Sequence, residues 1–256
     1  MKNSLTSLLA PLRSSKKTKT VPSRQHYCRR VGMVFLIYIS CLLSATASLR
    51  RQPEFESVAG DNGIPMSGIT TLTLDDDGFV WAASRMGIMR ATPSDCRTYN
   101  LPVSTSDVMQ VKLAYNKGIL AASTQNGQIF KYNRIKDHFE QWFSLVDYLG
   151  NKDWITNLVI DADGKVWVST SMGIFIYSGN QLQRLQPTVT GYSYLTQLDK
   201  EHLFAVMDKG IYKVDSRNQE VSKMPGDFAP FISSGVYDSF GERVWLGTYQ
   251  GELWSY

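Results

Sequence analysis

Two aspartate-rich turns are the first places where the chain could do chemistry: Asp75-Asp76-Asp77-Gly78 and Asp161-Ala162-Asp163-Gly164. Clustered carboxylates suit calcium, but that ion wants roughly six or more oxygens, and the spaced loop with a distal glutamate is missing. Asp and Gly are also what a tight turn demands, since Asp bonds its own backbone and Gly accepts positive φ. The turn reading needs nothing further, so no metal is expected. Histidine offers little: His26 lies near the N-terminus, His138 in the polar run KDHFEQWF, and His202 at a hairpin turn. No G-x-S-x-G motif marks a nucleophile. Asp208 and Glu252 are acids with no evident second carboxylate to pair with, as glycoside cleavage requires. The sequence therefore yields no catalytic residue and calls for no cofactor.

Charge and cysteine usage depend on where the mature chain starts. Residues 1–30 hold eight Lys/Arg and no acid, and VGMVFLIYISCLL at 31–43 is a short apolar run. Ala45-Thr46-Ala47 then supplies a small-x-small site. Residues 1–47 thus read as a secretory signal peptide or a retained N-terminal membrane anchor, the cleaved form being favoured because a spanning helix needs about 20 apolar residues. Without them the formal balance of +4 becomes 19 basic against 23 acidic residues, which disfavours a nucleic-acid partner. Cys28 and Cys41 fall in the leader, so Cys96 is left alone. One cysteine makes neither an internal disulfide nor a zinc site built on paired thiolates. The fold has to rest on its core, on the periplasmic or extracellular side of the membrane.

The elements that would position any site emerge from internal repetition. Five segments share one pattern: VWAASRMGIMR (80–90), ILAASTQNGQIFKY (119–132), VWVSTSMGIFIY (166–177), LFAVMDKGIYKV (203–214) and VWLGTYQGELWSY (244–256). Their turn glycines are Gly87, Gly127, Gly173, Gly210 and Gly251, spaced by 40, 46, 37 and 41 residues. Trp81, Trp167, Phe204 and Trp245 each precede the glycine by six positions. The second copy departs, with Leu120 in the aromatic's place and one residue inserted. Before each core lies an alternating strand ending in a tight turn, as in ITTLTLDDDGFVW (69–81) and ITNLVIDADGKVW (155–167). Each unit of about 40 residues reads as a four-stranded sheet that cannot bury either face alone, and radial stacking buries both. The fold class is all-β, a β-propeller of about five blades near 69–101, 108–143, 154–185, 192–224 and 232–256, the last incomplete. The repeated aromatics and glycines are framework residues, the Trp wedging between neighbouring blades. Residues 55–58 could complete the last copy and close a ring of five. Otherwise the copies form an open arc of a larger ring.

The spacing Asp75…Gly78…Trp81…Ser84…Gly87, repeated as Asp161…Gly164…Trp167…Thr170…Gly173 and in its second half as Trp245…Thr248…Gly251, resembles the two-component regulator propeller repeat. Gly63-Ile64 stands where such sensors carry a Gly-Leu-like pair before the first repeat. The resemblance covers roughly residues 54–256. It implies the extracytoplasmic ligand-sensing propeller of a signal-transduction receptor, as an N-terminal fragment without its kinase or cyclase transmitter. A propeller enzyme of lyase or glycosidase type and a protein-interaction scaffold are the alternatives.

In a four-stranded blade the turn between the second and third strands lies on the ring face that also carries the links between blades. Arg85, Gln125, Asn126, Ser171, Lys209, Tyr249 and Gln250 occupy those turns and differ from copy to copy while the framework repeats. A rigid scaffold presenting a variable face suits binding, and stacking rings and guanidinium groups suit sugars and carboxylates. The expected ligand is a small molecule or oligosaccharide, with self-association or a signalling protein as further partners. Membrane contact is expected only through the N-terminal segment.

Overall fold

The structure, a computed structural model, describes residues 68–256 apart from 86, 93–94, 105–109, 187–190, 208–209 and 228–230. The leader, residues 55–58, Gly63-Ile64, Asp208 and Lys209 lie outside the described residues. Every helix or strand among those described is a β-strand, as period-two patterning with frequent turns requires.

Blade 1 comprises β1 (Thr71–Leu74), β2 (Val80–Ser84), β3 (Gly87–Ala91) and β4 (Cys96–Tyr99). Blade 2 comprises β5 (Lys112–Asn116), β6 (Ile119–Ser123), β7 (Gln128–Asn133) and β8 (His138–Ser144). Blade 3 holds β9 (Ile155–Ile160), β10 (Val166–Thr170), β11 (Gly173–Ser178) and β12 (Gln181–Arg184). Blade 4 holds β13 (Ser193–Gln197), β14 (His202–Met207), β15 (Gly210–Asp215) and β16 (Val221–Asp227). Blade 5 has three strands, β17 (Ile232–Asp238), β18 (Arg243–Thr248) and β19 (Leu253–Ser255). Each sheet pairs its strands antiparallel in chain order, so the chain builds a five-bladed β-propeller from consecutive meanders.

The aspartate turns hold the blades together in two ways. Asp75 Oδ1 accepts the amides of Asp77 (3.0 Å) and Phe79 (2.9 Å), closing the β1–β2 hairpin. Its Oδ2 accepts the Trp81 indole N–H at 2.7 Å. Blade 3 repeats this: Asp161 Oδ1 accepts from Asp163 and Lys165, and Oδ2 accepts Trp167 Nε1 at 2.8 Å. The residues expected as turns rather than calcium ligands are thus turns, and each also fixes the rotamer of the framework tryptophan. Blade 4 has Phe204 and no indole to bind. There Asp199 Oδ1 accepts the amides of Glu201 and His202, and His202 Nδ1 lies 2.9 Å from both carboxylate oxygens.

Trp81, Trp167 and Phe204 are buried, each in a cluster shared with the next blade. Trp81 packs with Leu113, Phe130 and Phe139, Trp167 with Leu195 and Leu203, and Phe204 with Ile232, Val244 and Leu246. Blade 2 corrects the sequence alignment. Leu120 packs back toward blade 1, while Ala121, its neighbour on β6, faces blade 3 with Ala114 and Ile129. Ala121 therefore takes the aromatic's position, six residues before Gly127 as in the other copies, and no residue is inserted between the two. The glycines keep their role: at Gly87 φ is +124° and a Cβ would come within 2.8 Å of the Tyr99 carbonyl. The same left-handed backbone recurs at Gly127, Gly173 and Gly251, but not at Gly210.

Side chains on the innermost strands stitch neighbouring blades through the backbone. Thr70 Oγ1 donates to Val111 O (2.6 Å), Asn116 Nδ2 to Ile160 O (2.8 Å), Thr156 Oγ1 to Ser193 O (2.6 Å), Asn157 Nδ2 to Leu195 O (2.7 Å) and Thr196 Oγ1 to Gly235 O (3.1 Å). Among the described residues no buried cluster joins blade 5 to blade 1. The first face of blade 1 leaves Leu72 and Leu74 about 60% exposed, and the last face of blade 5 leaves Val236 and Leu253 exposed. Trp245 sits at the framework position but is only partly buried, because the face it would wedge against is open.

Burial decides what each framework ring contributes. Trp167→Ala is expected to cost about 3–5 kcal/mol, the range for a fully buried aromatic. Trp245→Ala is expected to cost less than half as much. Urea unfolding of both variants checks this, and equal losses would contradict the assignment of Trp245 to an open face.

Candidate functional site

The turns between second and third strands form one face, and those of blades 2, 3 and 5 are tied to a link that enters an inner strand. Ser171 N donates to Trp154 O, Tyr249 N to Phe231 O, and Ile155 N to Gln125 O. These bonds fix the turn backbones, leaving the side chains to differ. Ser171 Oγ donates to Asp153 Oδ1 (2.8 Å) and accepts the Trp154 amide, so this residue serves the loop beneath it. Asn126 Oδ1 accepts the Thr124 hydroxyl, and Gln125 is half-buried. Arg85, Tyr249 and Gln250 project as exposed side chains. Of the turn residues read from the sequence, these three retain the freedom to meet a ligand, and Lys209 lies outside the described residues. Glu252, the acid expected near this face, accepts the Trp254 indole N–H at 3.0 Å.

A second concave surface lies where the inner strands converge, a cavity of about 1330 Å³. None of the predicted turn residues that the structure describes lines it. Strand register resolves its wall into levels. The framework residues Trp81, Ala121, Trp167, Phe204 and Trp245 pair with Thr73, Ala114, Val159, Thr196 and Val236. All five of those partners line the cavity. Two residues earlier, on the same side of each strand, stand Thr71, Lys112, Asn157, Tyr194 and Ser234, and these line it too. The level thus carries three hydroxyls, one amide and one ammonium.

Lys112 is the anomaly. Its side chain is buried, and burial lowers its pKa with no opposing charge beside it. Thr71 Oγ1 donates to Val111 O, and Asn157 Nδ2 to Tyr194 Oη and Leu195 O. Lys112 makes no hydrogen bond or ion pair with any described residue. The repeat pattern hides this position, because aligning the second copy on Leu120 shifts β5 by one residue. The available signal was a lysine inside the alternating stretch QVKLAYN.

Two further polar clusters serve the scaffold. Asp137 accepts from Tyr132 and Tyr99 and pairs with Arg97. The Tyr132 hydrogen bond foremost holds its carboxyl below the usual range against the opposing effect of burial, with Tyr99 and the two arginines adding to the lowering. His138 Nε2 lies 3.3 Å from Glu140. Among the described residues no three of His, Cys, Asp and Glu converge as a metal site would need.

No family model matches the chain, and no curated protein matches it. Solved structures do. An extracellular domain from B. thetaiotaomicron, assigned to a one-component system, is similar at 18% identity with a TM-score of 0.55, over 80% of this chain and 33% of that one. Another from the same organism, assigned to a hybrid two-component system, is similar at 15% identity with a TM-score of 0.52, over 75% and 29%. The computationally designed Ika8 protein is similar to the same degree, at 13% identity and a TM-score of 0.54, over 76% and 59%. The chain spans about a third of the length of the two extracellular domains. A designed protein fits as well as they do, so the likeness carries the fold alone.

The division of the turn face into anchored and free side chains has a direct test. Ser171→Ala is expected to cost about 1 kcal/mol, a hydrogen bond's usual net contribution. Arg85→Ala and Gln250→Ala should each stay within about 0.5 kcal/mol of the parent, as exposed positions do. Thermal melts of the three variants would contradict the division if Arg85→Ala proved the most damaging.

Proposed function

We propose that the chain is the extracytoplasmic ligand-sensing propeller of a signal-transduction receptor, a binding module without catalysis of its own. One observation carries this reading: the framework aromatics and glycines repeat, while the turn side chains on one face differ in every blade and three of them stand free in solvent. The likeness to two extracellular domains of bacterial signalling systems supports it. Arg85 supplies a guanidinium for carboxylate or hydroxyl oxygens, Tyr249 a ring for stacking on a sugar face, and Gln250 an amide for hydroxyls. The ligand is a small molecule or an oligosaccharide. A signalling partner or a second copy would meet the exposed faces of blades 1 and 5, whose apolar side chains lack a neighbouring blade. Export of the propeller by residues 1–47 places the ligand outside the cytoplasm.

The full chain would be screened by thermal shift against neutral oligosaccharides and small carboxylic acids. The expected result is stabilisation by at least one class, with Arg85→Ala and Tyr249→Ala weakening that ligand about tenfold or more. Their unliganded melting temperatures should not move. A ligand that binds all variants alike would remove the turn face from the account.

A further inference from the structure

We propose that the cavity between the inner strands binds a small monoanionic carboxylate, held by the ammonium of Lys112. This site is separate from the turn face and does not depend on the sensing role proposed above. The first ground is the cost of Lys112. An ammonium drawn out of bulk water without a counter-charge is penalised, and Lys112 as a residue is 5% exposed. Other blades meet the same level with a threonine, an asparagine, a tyrosine or a serine, and Thr71 and Asn157 spend theirs on the next blade's backbone. Building the propeller therefore does not require a cation here.

The second ground is what surrounds it. Directly across the β5–β6 pairing from Lys112 stands Ser123. Its Oγ is buried without a hydrogen-bond partner, so a free hydroxyl stands beside a lysine that has no ion pair among the described residues. Small neighbours on that side of the blade, Ala114 and Ala121, leave the lysine stem space. The lining carries Lys112, Lys117 and Lys200 against a single acid, Asp199. That acid is already engaged by the amides of Glu201 and His202 and by the His202 ring. Lys117 is also occupied, donating to Ala162 O at 2.7 Å. Among the described residues the lining carries more basic than acidic groups, and Lys112 has no counter-charge. A single buried cation neutralises a single negative charge, which fits a carboxylate and leaves a phosphate dianion half uncompensated. The Ser234 hydroxyl on the wall gives a carboxylate-bearing sugar or hydroxy acid a further contact.

The test uses the full chain and two carboxylates, acetate and glucuronate, against glucose and inorganic phosphate, read by calorimetry and thermal shift. Glucuronate is expected to bind at least tenfold more tightly than glucose and to raise the melting temperature, with acetate competing for it. Phosphate should bind no better than glucose. Lys112→Met is expected to lower glucuronate affinity tenfold or more and to raise the melting temperature of the unliganded chain. Lys200→Met, at an exposed rim position, should change affinity by less than twofold. Glucuronate and glucose binding within twofold of each other, phosphate binding more tightly than glucuronate, or a Lys112→Met chain that melts lower than the parent would each overturn the proposal. The ligand comparison on the parent chain tests the site independently of any variant.

Discussion

The indole N–H of Trp167 meets the carboxylate of Asp161 at 2.8 Å, with both residues fully buried. The same carboxylate closes the hairpin that starts the blade. A turn at one edge of a sheet thereby fixes the large ring that fills the seam to the next sheet. A buried carboxylate left unsatisfied would be costly, and here its oxygens take two backbone amides and one indole. Asp75 and Trp81 repeat the arrangement in blade 1. Blade-to-blade packing then follows from local chain geometry, because the ring cannot swing away without leaving an oxygen of the buried carboxylate unpaired.

Where this pair is missing, the chain compensates differently. Blade 4 keeps the carboxylate but puts His202 against it, and Phe204 wedges by shape alone. Blade 2 has neither partner. Its hairpin is a two-residue turn with Lys117 and Gly118 both at positive φ, and Ala121 stands where a ring would. Ile129, Leu145, Ile155 and Phe175 fill that seam from other strands. The one position that breaks the framework pattern therefore adjoins Lys112, the one inner-strand residue whose charge has no partner. A site is easiest to place where the scaffold has been relaxed.

Much of the fold could be read from the sequence because its signals are local and repeated. A turn demands Asp and Gly, and a seam demands Trp and alternating aliphatics, so a propeller of five blades is legible in the repeats. The indole-to-carboxylate bond was within reach too, as the Asp and Trp stand six apart in both good copies, yet spacing alone does not say which way a carboxylate's second oxygen points. The site was less legible. Ser171 reads as an exposed polar turn residue, but its hydroxyl is committed to Asp153 through a contact 18 residues away in sequence. The cavity depends on side chains from five inner strands meeting at one level, and a one-residue error in blade 2 moves Lys112 to the other side of its sheet.

The coupling between the hairpin carboxylate and the seam tryptophan is the quantity on which this account stands. A double-mutant cycle with Asp161→Ala and Trp167→Phe, followed by urea unfolding, isolates it, since Phe keeps the ring and removes the N–H. The predicted interaction energy is about 1.5–3 kcal/mol, the range for hydrogen bonds to a charged group. Losses that add to within about 0.3 kcal/mol would contradict the claim that the turn positions the wedge.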